Sequence, residues 1–391
     1  MEIEYWWLFT LPLFFALGWV AARIDIRQVV RESRALPRAW LKGLNFLVDE
    51  KQDRAIDAFS EAARIDPDSI DLQFALGALY RRRGETEQAV RIHQGLVDRD
   101  VISENKRLDA LAALGQDYLN AGLLDRAEGV CIRLRGTRYS EEATRHLLDI
   151  YQQEREWLKA VEVARSLSGH EGVHWRKEIA NFYCELAADA LANVRYDEAR
   201  GYIDEAVAMN RGCVRANIVL GDLHLAEGRV EEAIEAWKRI EKQDPIYLSL
   251  VAERVMDAFS SLGRAEHGRI LLRSWLDKKF SLDLLDVVFR HEIEHAGPQA
   301  AYTLIRDQLR INPTLQGLEK LLDAAARLTE GEQQNDVELV RQLVHEHTRR
   351  VARYRCTGCG FKSRQFQWRC PACGGWETYP PRRTEEFDLD D

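Results

Sequence analysis

The chain has 391 residues, 30% of them charged, and a formal net charge of −9. That acidic balance excludes bulk nucleic-acid binding by the body of the chain, and nine prolines with no Ser/Gly-rich linker exclude a string of tethered domains. Seven cysteines, four of them paired near the C-terminus, exclude a secreted disulfide framework and point to a metal site in a reducing compartment.

Tyr5 to Ala22 is a run of 18 uncharged residues, YWWLFTLPLFFALGWVAA. With Ile3 included it gives roughly 30 Å of helix, the thickness of a bilayer core. Tyr5, Trp6 and Trp7 at one end and Trp19 near the other suit the two interfaces. Glu2 and Glu4 stand where a signal peptide needs basic residues, so residues 1–22 are expected to be a transmembrane anchor. Arg23, Arg27, Arg31, Arg34 and Arg38 follow, against Asp25 and Glu32. This basic flank, with residues 23–35 as a juxtamembrane linker, places the N-terminus in the periplasm and the bulk of the chain in the cytoplasm.

Residues 36–335 repeat with a period near 34. Gly43, Gly77, Gly115 and Gly221 form one column, and Phe46, Tyr80, Tyr118, Tyr151 and His224 the next. Ala55, Ala89, Ala127, Ala160, Ala199 and Ala233 form a third, each followed four residues on by Phe59, His93, Cys131, Ala164, Ile203 or Trp237. This period fits two helices and two turns; small residues let the helices approach, bulky ones fill the space, and stacked pairs bury each other's apolar faces. Glycines 84, 122, 228 and 263 fall at the turn inside a pair. The columns resemble the tetratricopeptide repeat, with about eight to nine units expected. Those near Leu147, Ala187 and Asp257 lack the first glycine. Such arrays curve into a superhelix and hold partner segments in a concave face, for which Asn45, Gln73, Asp117 and Asn217 are the candidate lining.

His291-Glu292-Ile293-Glu294-His295 is a literal H-E-x-x-H, which on a helix is the zinc-peptidase arrangement of two imidazoles and a glutamate base. Against that reading, His291 falls in the bulky column, and Gly297 and Pro298 end the helix without the extended motif's further ligand. His345 and His347 are read as solvated.

A connecting helix is expected over 336–353, then a knuckle over 354–381. Cys356, Cys359, Cys370 and Cys373 make C-x₂-C-x₁₀-C-x₂-C, each half followed by glycine (Gly360, Gly374). Four thiolates suit Zn²⁺ as a closed structural site, with iron the alternative. A segment this short has no core of its own, so the metal must hold it folded, with Phe361, Phe366, Trp368, Trp376 and Tyr379 packing it onto the neighbouring helices. Seven basic residues between His347 and Trp376 (Arg349, Arg350, Arg353, Arg355, Lys362, Arg364 and Arg369) leave open a membrane-tethered nucleic-acid-binding scaffold. Residues 382–391 read as an acidic tail, disordered from Glu385 to Asp391.

The fold class is therefore all-α: a transmembrane helix, a repeat superhelix and a small metal knuckle. This order of parts, with WWLFTLPLFFALGW in the anchor and YRCTGCGF and CPACG in the knuckle, resembles the bacterial lipopolysaccharide assembly protein B family along the whole chain. The resemblance implies a rubredoxin-like knuckle with Cys356, Cys359, Cys370 and Cys373 as metal ligands. It also implies a non-enzymatic inner-membrane adaptor that presents the lipid A deacetylase to a membrane-anchored AAA protease and is restrained by an inner-membrane lipopolysaccharide sensor protein.

Overall fold

Two helices that must touch along their length need a side chain missing on one and a large one supplied by the other. That exchange organises the chain from its first described helix onward. The structure, a computed structural model, describes Trp19 and residues 40–49, 51–167, 175–351 and 353–387. The expected membrane span (Trp19 apart), the arginine-rich flank and residues 388–391 lie outside these. Among the described residues no helix is long and apolar enough to cross a membrane. The chain divides into two compact units, Met1–Arg155 and Glu156–Asp391.

The first unit holds α1 (residues 40–48), α2 (Gln52–Ile65), α3 (Ile70–Arg83), α4 (Thr86–Val97), α5 (Glu104–Asn120), α6 (Leu124–Leu134) and α7 (Ser140–Glu154). Phe59 of α2 covers Gly43, where a Cβ would stand 2.9 Å from the ring; His93 of α4 covers Gly77 at 2.6 Å. At Gly115 it is Val130, not Cys131 of the expected column, that comes closest. Ala55, Ala89 and Ala127 are fully buried, as the close approach requires. Asp117, expected to line a groove, is instead wholly buried. It accepts a hydrogen bond from Arg81 at 2.9 Å and pairs with His93 Nδ1. A buried carboxylate needs such partners, and Arg81 also donates to the Ala113 carbonyl.

The second unit continues with α8 (Trp157–Leu167), α9 (Arg176–Ala192), α10 (Tyr196–Met209), α11 (Val214–Ala226), α12 (Val230–Lys238), α13 (Ile240–Gln243), a 3₁₀ turn (Pro245–Leu250) and α14 (Ala252–Ser261). After these come α15 (Ala265–Lys278), α16 (Leu282–Ala296), α17 (Pro298–Ile311), α18 (Leu315–Ala326) and α19 (Glu332–Val351). Ala160, Ala199 and Ala233 are again fully buried. Trp237 of α12 lies over Gly221 of α11 and donates its indole N–H to the Ile218 carbonyl at 3.2 Å. Asn217 of α11, likewise expected to line a groove, is buried and bonds Gln243.

The α14–α15 pair, whose first helix lacks the column glycine, inverts the exchange. Gly268 of α15 takes the place due to alanine, and Met256 and Phe259 of α14 supply the bulk. Farther on, Ala301 and Ile305 of α17 restore the small and bulky positions, both fully buried.

The turn glycines have positive φ, 84° at Gly84 and 79° at Gly228, the left-handed conformation that ends these helices. Where glycine is missing the conformation persists at a cost: Val194, between α9 and α10, has φ 61°.

Candidate metal centre and its seat on the helix pairs

Two short strands open the C-terminal knuckle. β1 (Tyr354–Arg355) pairs antiparallel with β2 (Lys362–Ser363), Tyr354 opposite Ser363 and Arg355 opposite Lys362. Each C-x-x-C-G is the same tight turn. Gly360 N–H donates to the Cys356 carbonyl at 3.0 Å and Gly374 N–H to the Cys370 carbonyl at 2.9 Å. Both glycines have positive φ, 76° and 72°, so the chain doubles back and each cysteine pair points the same way.

The four sulfurs converge, with all ligand atoms within 4.8 Å of one another. Cys356 Sγ lies 3.8 Å from Cys373 Sγ, and Cys359 Sγ 3.7 Å from Cys370 Sγ. A tetrahedron with 2.3 Å metal–sulfur bonds has edges of about 3.8 Å, so the donor set fits a four-coordinate ion. Cys356 and Cys370 are buried; Cys359 and Cys373 face outward. Burial works upward on the Cys356 thiol, but the Thr378 hydroxyl and the Cys359 and Gly358 amides prevail and bring it down to about 6. At Cys359 the Phe361 amide works downward, yet desolvation and the sulfurs of Cys356, Cys370 and Cys373 push the thiol up to about 12. Four sulfurs this close carry four charges only around a cation. These cysteines form a rubredoxin-like metal-binding site.

The knuckle is seated by aromatic side chains. The Trp376 ring lies edge-on to Trp157 of α8 and Phe182 of α9, centroids 6.0 and 5.7 Å away. Trp368 stacks on Tyr247 of the 3₁₀ turn at 5.4 Å and 7°. Between them the Arg215 guanidinium of α11 lies over both indoles, 5.4 Å from Trp368 and 5.9 Å from Trp376. It is nearly buried and is anchored by Glu185 at 2.8 Å. A desolvated cation between two indoles is a strong form of the cation–π contact. Glu377 accepts from Asn181 at 2.8 Å and pairs with Lys177 at 3.2 Å. Phe361 does not join this packing; it is exposed.

A second row of contacts fastens the other side. Tyr354 donates its hydroxyl hydrogen to Asp283 of α16 at 2.6 Å. Arg383 bonds the same carboxylate at 2.8 Å while lying 4.1 Å above the Tyr354 ring. The tail is not disordered at its start: Thr384–Phe387 form a helical turn, α20. Its two glutamates sit at two helix N-termini. Glu386 accepts from the Leu282 amide of α16 at 3.3 Å, and Glu385 from the Leu315 and Gln316 amides of α18 at 3.1 and 3.3 Å. Exposed amides at a helix N-terminus favour a carboxylate in just this way. Burial nevertheless raises the Glu386 carboxyl to about 7.

The H-E-x-x-H helix reads differently in place. Glu292, the would-be base, is buried, accepting from Arg273 Nε at 2.9 Å with Arg269 at 3.6 Å. It is therefore committed to a structural ion-pair cluster. His345 is partnered, its Nδ1 2.8 Å from Glu319 of α18. The cysteine ligands were evident from spacing. The seat formed by Lys177, Asn181, Arg215, Tyr247 and Asp283 was not, because it joins residues far apart in the chain. Its one local sign is Arg215, a charge on the buried face of α11.

Two family models agree with this geometry. The tetratricopeptide repeat family matches residues 184–245, and the rubredoxin metal binding domain matches residues 354–381. The chain is 33% identical to lipopolysaccharide assembly protein B of Escherichia coli (strain K12) over 380 residues, covering 95% of this chain and 97% of that protein. It is 28% identical to the protein of that name from Haemophilus influenzae, over 97% of this chain and 98% of the other. Among solved structures, a tetratricopeptide repeat protein from Parabacteroides merdae matches 79% of this chain and 99% of its own, at 12% identity and a TM-score of 0.34.

Proposed function

The chain belongs to the lipopolysaccharide assembly protein B family, and from that premise we propose that it is a non-enzymatic adaptor of the cell inner membrane. Residues 1–22 anchor it, N-terminus in the periplasm, and its helix pairs face the cytoplasm. There it presents the lipid A deacetylase to a membrane-anchored AAA protease and so limits lipid A synthesis, under restraint by an inner-membrane lipopolysaccharide sensor protein. The observation that carries the reading is a relation spanning both the helix pairs and the knuckle, together with a knuckle fastened to those pairs by Arg215, Glu377 and Arg383. A scaffold needs a fixed surface, and the knuckle's task is to fix one.

Cys356, Cys359, Cys370 and Cys373 hold the ion, and Zn²⁺ is the ion a closed tetrathiolate suits for a purely structural purpose. An iron-loaded site would declare itself by visible absorption. The nucleic-acid reading loses ground on the seat: Phe366, Trp368 and Trp376 pack inward, leaving Arg355, Lys362 and Arg364 exposed beside Phe361 alone among the knuckle's large aromatic rings. The peptidase reading at His291 and His295 loses its base to Arg273 and Arg269.

Crosslinking in intact membranes, followed by identification of what is captured by the full chain, tests the adaptor role. Both the protease and the deacetylase are expected, and the deacetylase should persist longer in cells expressing the Cys356→Ser/Cys359→Ser double variant. Unchanged turnover with the chain deleted would remove the proposal.

A further inference from the structure

The last turn of α16 carries a cluster that the adaptor role does not use. His291, Glu294 and His295 bring one potential ligand atom each to within 4.8 Å of the others. The spacing explains it: residues three and four apart share one helix face. His295 Nδ1 lies 3.0 Å from the His291 carbonyl. A carbonyl only accepts, so Nδ1 bears the proton and Nε2 keeps its lone pair. Fixing a histidine's tautomer by such a bond is how proteins prepare imidazole ligands. His291 is the stronger sign. Both its ring nitrogens are buried and make no hydrogen bond. Two carboxylates stand just beyond reach, Glu294 at 3.8 Å from Nδ1 and Glu253 of α14 at 3.5 Å from Nε2. Glu253 is itself held by Arg290 at 2.6 Å, placing it as an outer carboxylate to the imidazole. Unbonded buried nitrogens facing carboxylates are costly unless something occupies the gap.

We propose that His291, Glu294 and His295 form a second divalent-cation site, separate from the four cysteines. Two imidazoles and one carboxylate select a borderline ion such as Zn²⁺ and leave a coordination position open to water. The site is not hydrolytic, because Glu292 points into the Arg269–Arg273 cluster. The ion ties the end of α16 to itself across one turn.

Co²⁺ titration of the chelator-stripped full chain in detergent tests this. Two equivalents should bind. One brings the sulfur-to-metal charge-transfer band of a tetrathiolate, and a weaker one brings only d–d absorption. In a His291→Ala/His295→Ala variant the second equivalent should vanish with the thiolate band unchanged, which also shows that the variant is folded; Glu294→Gln should weaken the second site about tenfold or more. One equivalent in the unaltered chain, or a second equivalent that survives the double variant, overturns the proposal. If the double variant loses the thiolate band, the Glu294→Gln result decides: unchanged affinity for the second ion overturns it.

Discussion

The α11–α12 pair and the knuckle solve the same problem with opposite means. The pair is held by packing: Trp237 fills the space left by Gly221, and Ala233, Ile234 and Ile240 are buried beside it. The knuckle has two-residue strands and a buried set of little more than Tyr354, Cys356, Cys370 and Tyr379. Its order must come from the ion inside and the seat outside. The first kind of structure is spread over many small contacts; the second is concentrated in a few that can be removed singly.

The sharpest way to break the comparison is to take the ion away. Chelation, or Cys356→Ser/Cys359→Ser, should empty the four-cysteine site and open residues 354–381 to proteases while leaving the helical circular dichroism nearly intact. Structural zinc in small modules is worth roughly 10–16 kcal/mol, far more than the knuckle's own packing can replace. Trp237→Ala should do the reverse, costing about 3–5 kcal/mol in denaturant unfolding of the second unit with the metal still bound by the folded fraction.

A third probe uses pH. Burial keeps the Glu386 carboxyl protonated up to about 7 in the folded chain against an ordinary 4.5, with Asp283 pushing the same way and the Arg383 and Leu282 amides and Arg382 opposing. The folded state thus holds a proton that the unfolded chain releases between pH 4.5 and 7. This group's stabilising contribution is full below pH 4.5 and is lost as pH rises through 7, by roughly 3 kcal/mol at most. Glu386→Gln should flatten that slope in melts taken from pH 5 to 8. The smallest effect belongs to the helix pairs: Val194→Gly relieves a left-handed β-branched residue and should stabilise by about 1 kcal/mol, seen as a small rise in unfolding midpoint.

The helix pairs were legible because their cause is local and repeated. A small residue and a bulky one at a fixed spacing are a physical contact written along the chain, and the buried alanines at 55, 89, 127, 160, 199 and 233 bear the columns out. The α14–α15 pair escaped because it trades the same sizes in the opposite direction, with Gly268 on the second helix. Asp117 was misjudged as groove lining since a polar residue is ordinarily solvated; only the distant Arg81 and His93 make its burial affordable. The same non-locality hid the knuckle's seat. Nothing near Arg215 in the chain announces two indoles more than 150 residues later. The acidic tail misled in a related way, its charge being the complement of helix ends that sequence reading cannot place beside it.

Repeat arrays commonly lengthen or shorten by duplicating or deleting whole units. Here the knuckle holds Asn181 on α9 through Glu377, and α20, which follows it, reaches the first amides of α18 through Glu385. Adding or removing a unit between those points would carry one anchorage out of reach of the other. The knuckle is in effect a ruler laid along this stretch, and its two anchorages are set to the span of helices from α9 to α18.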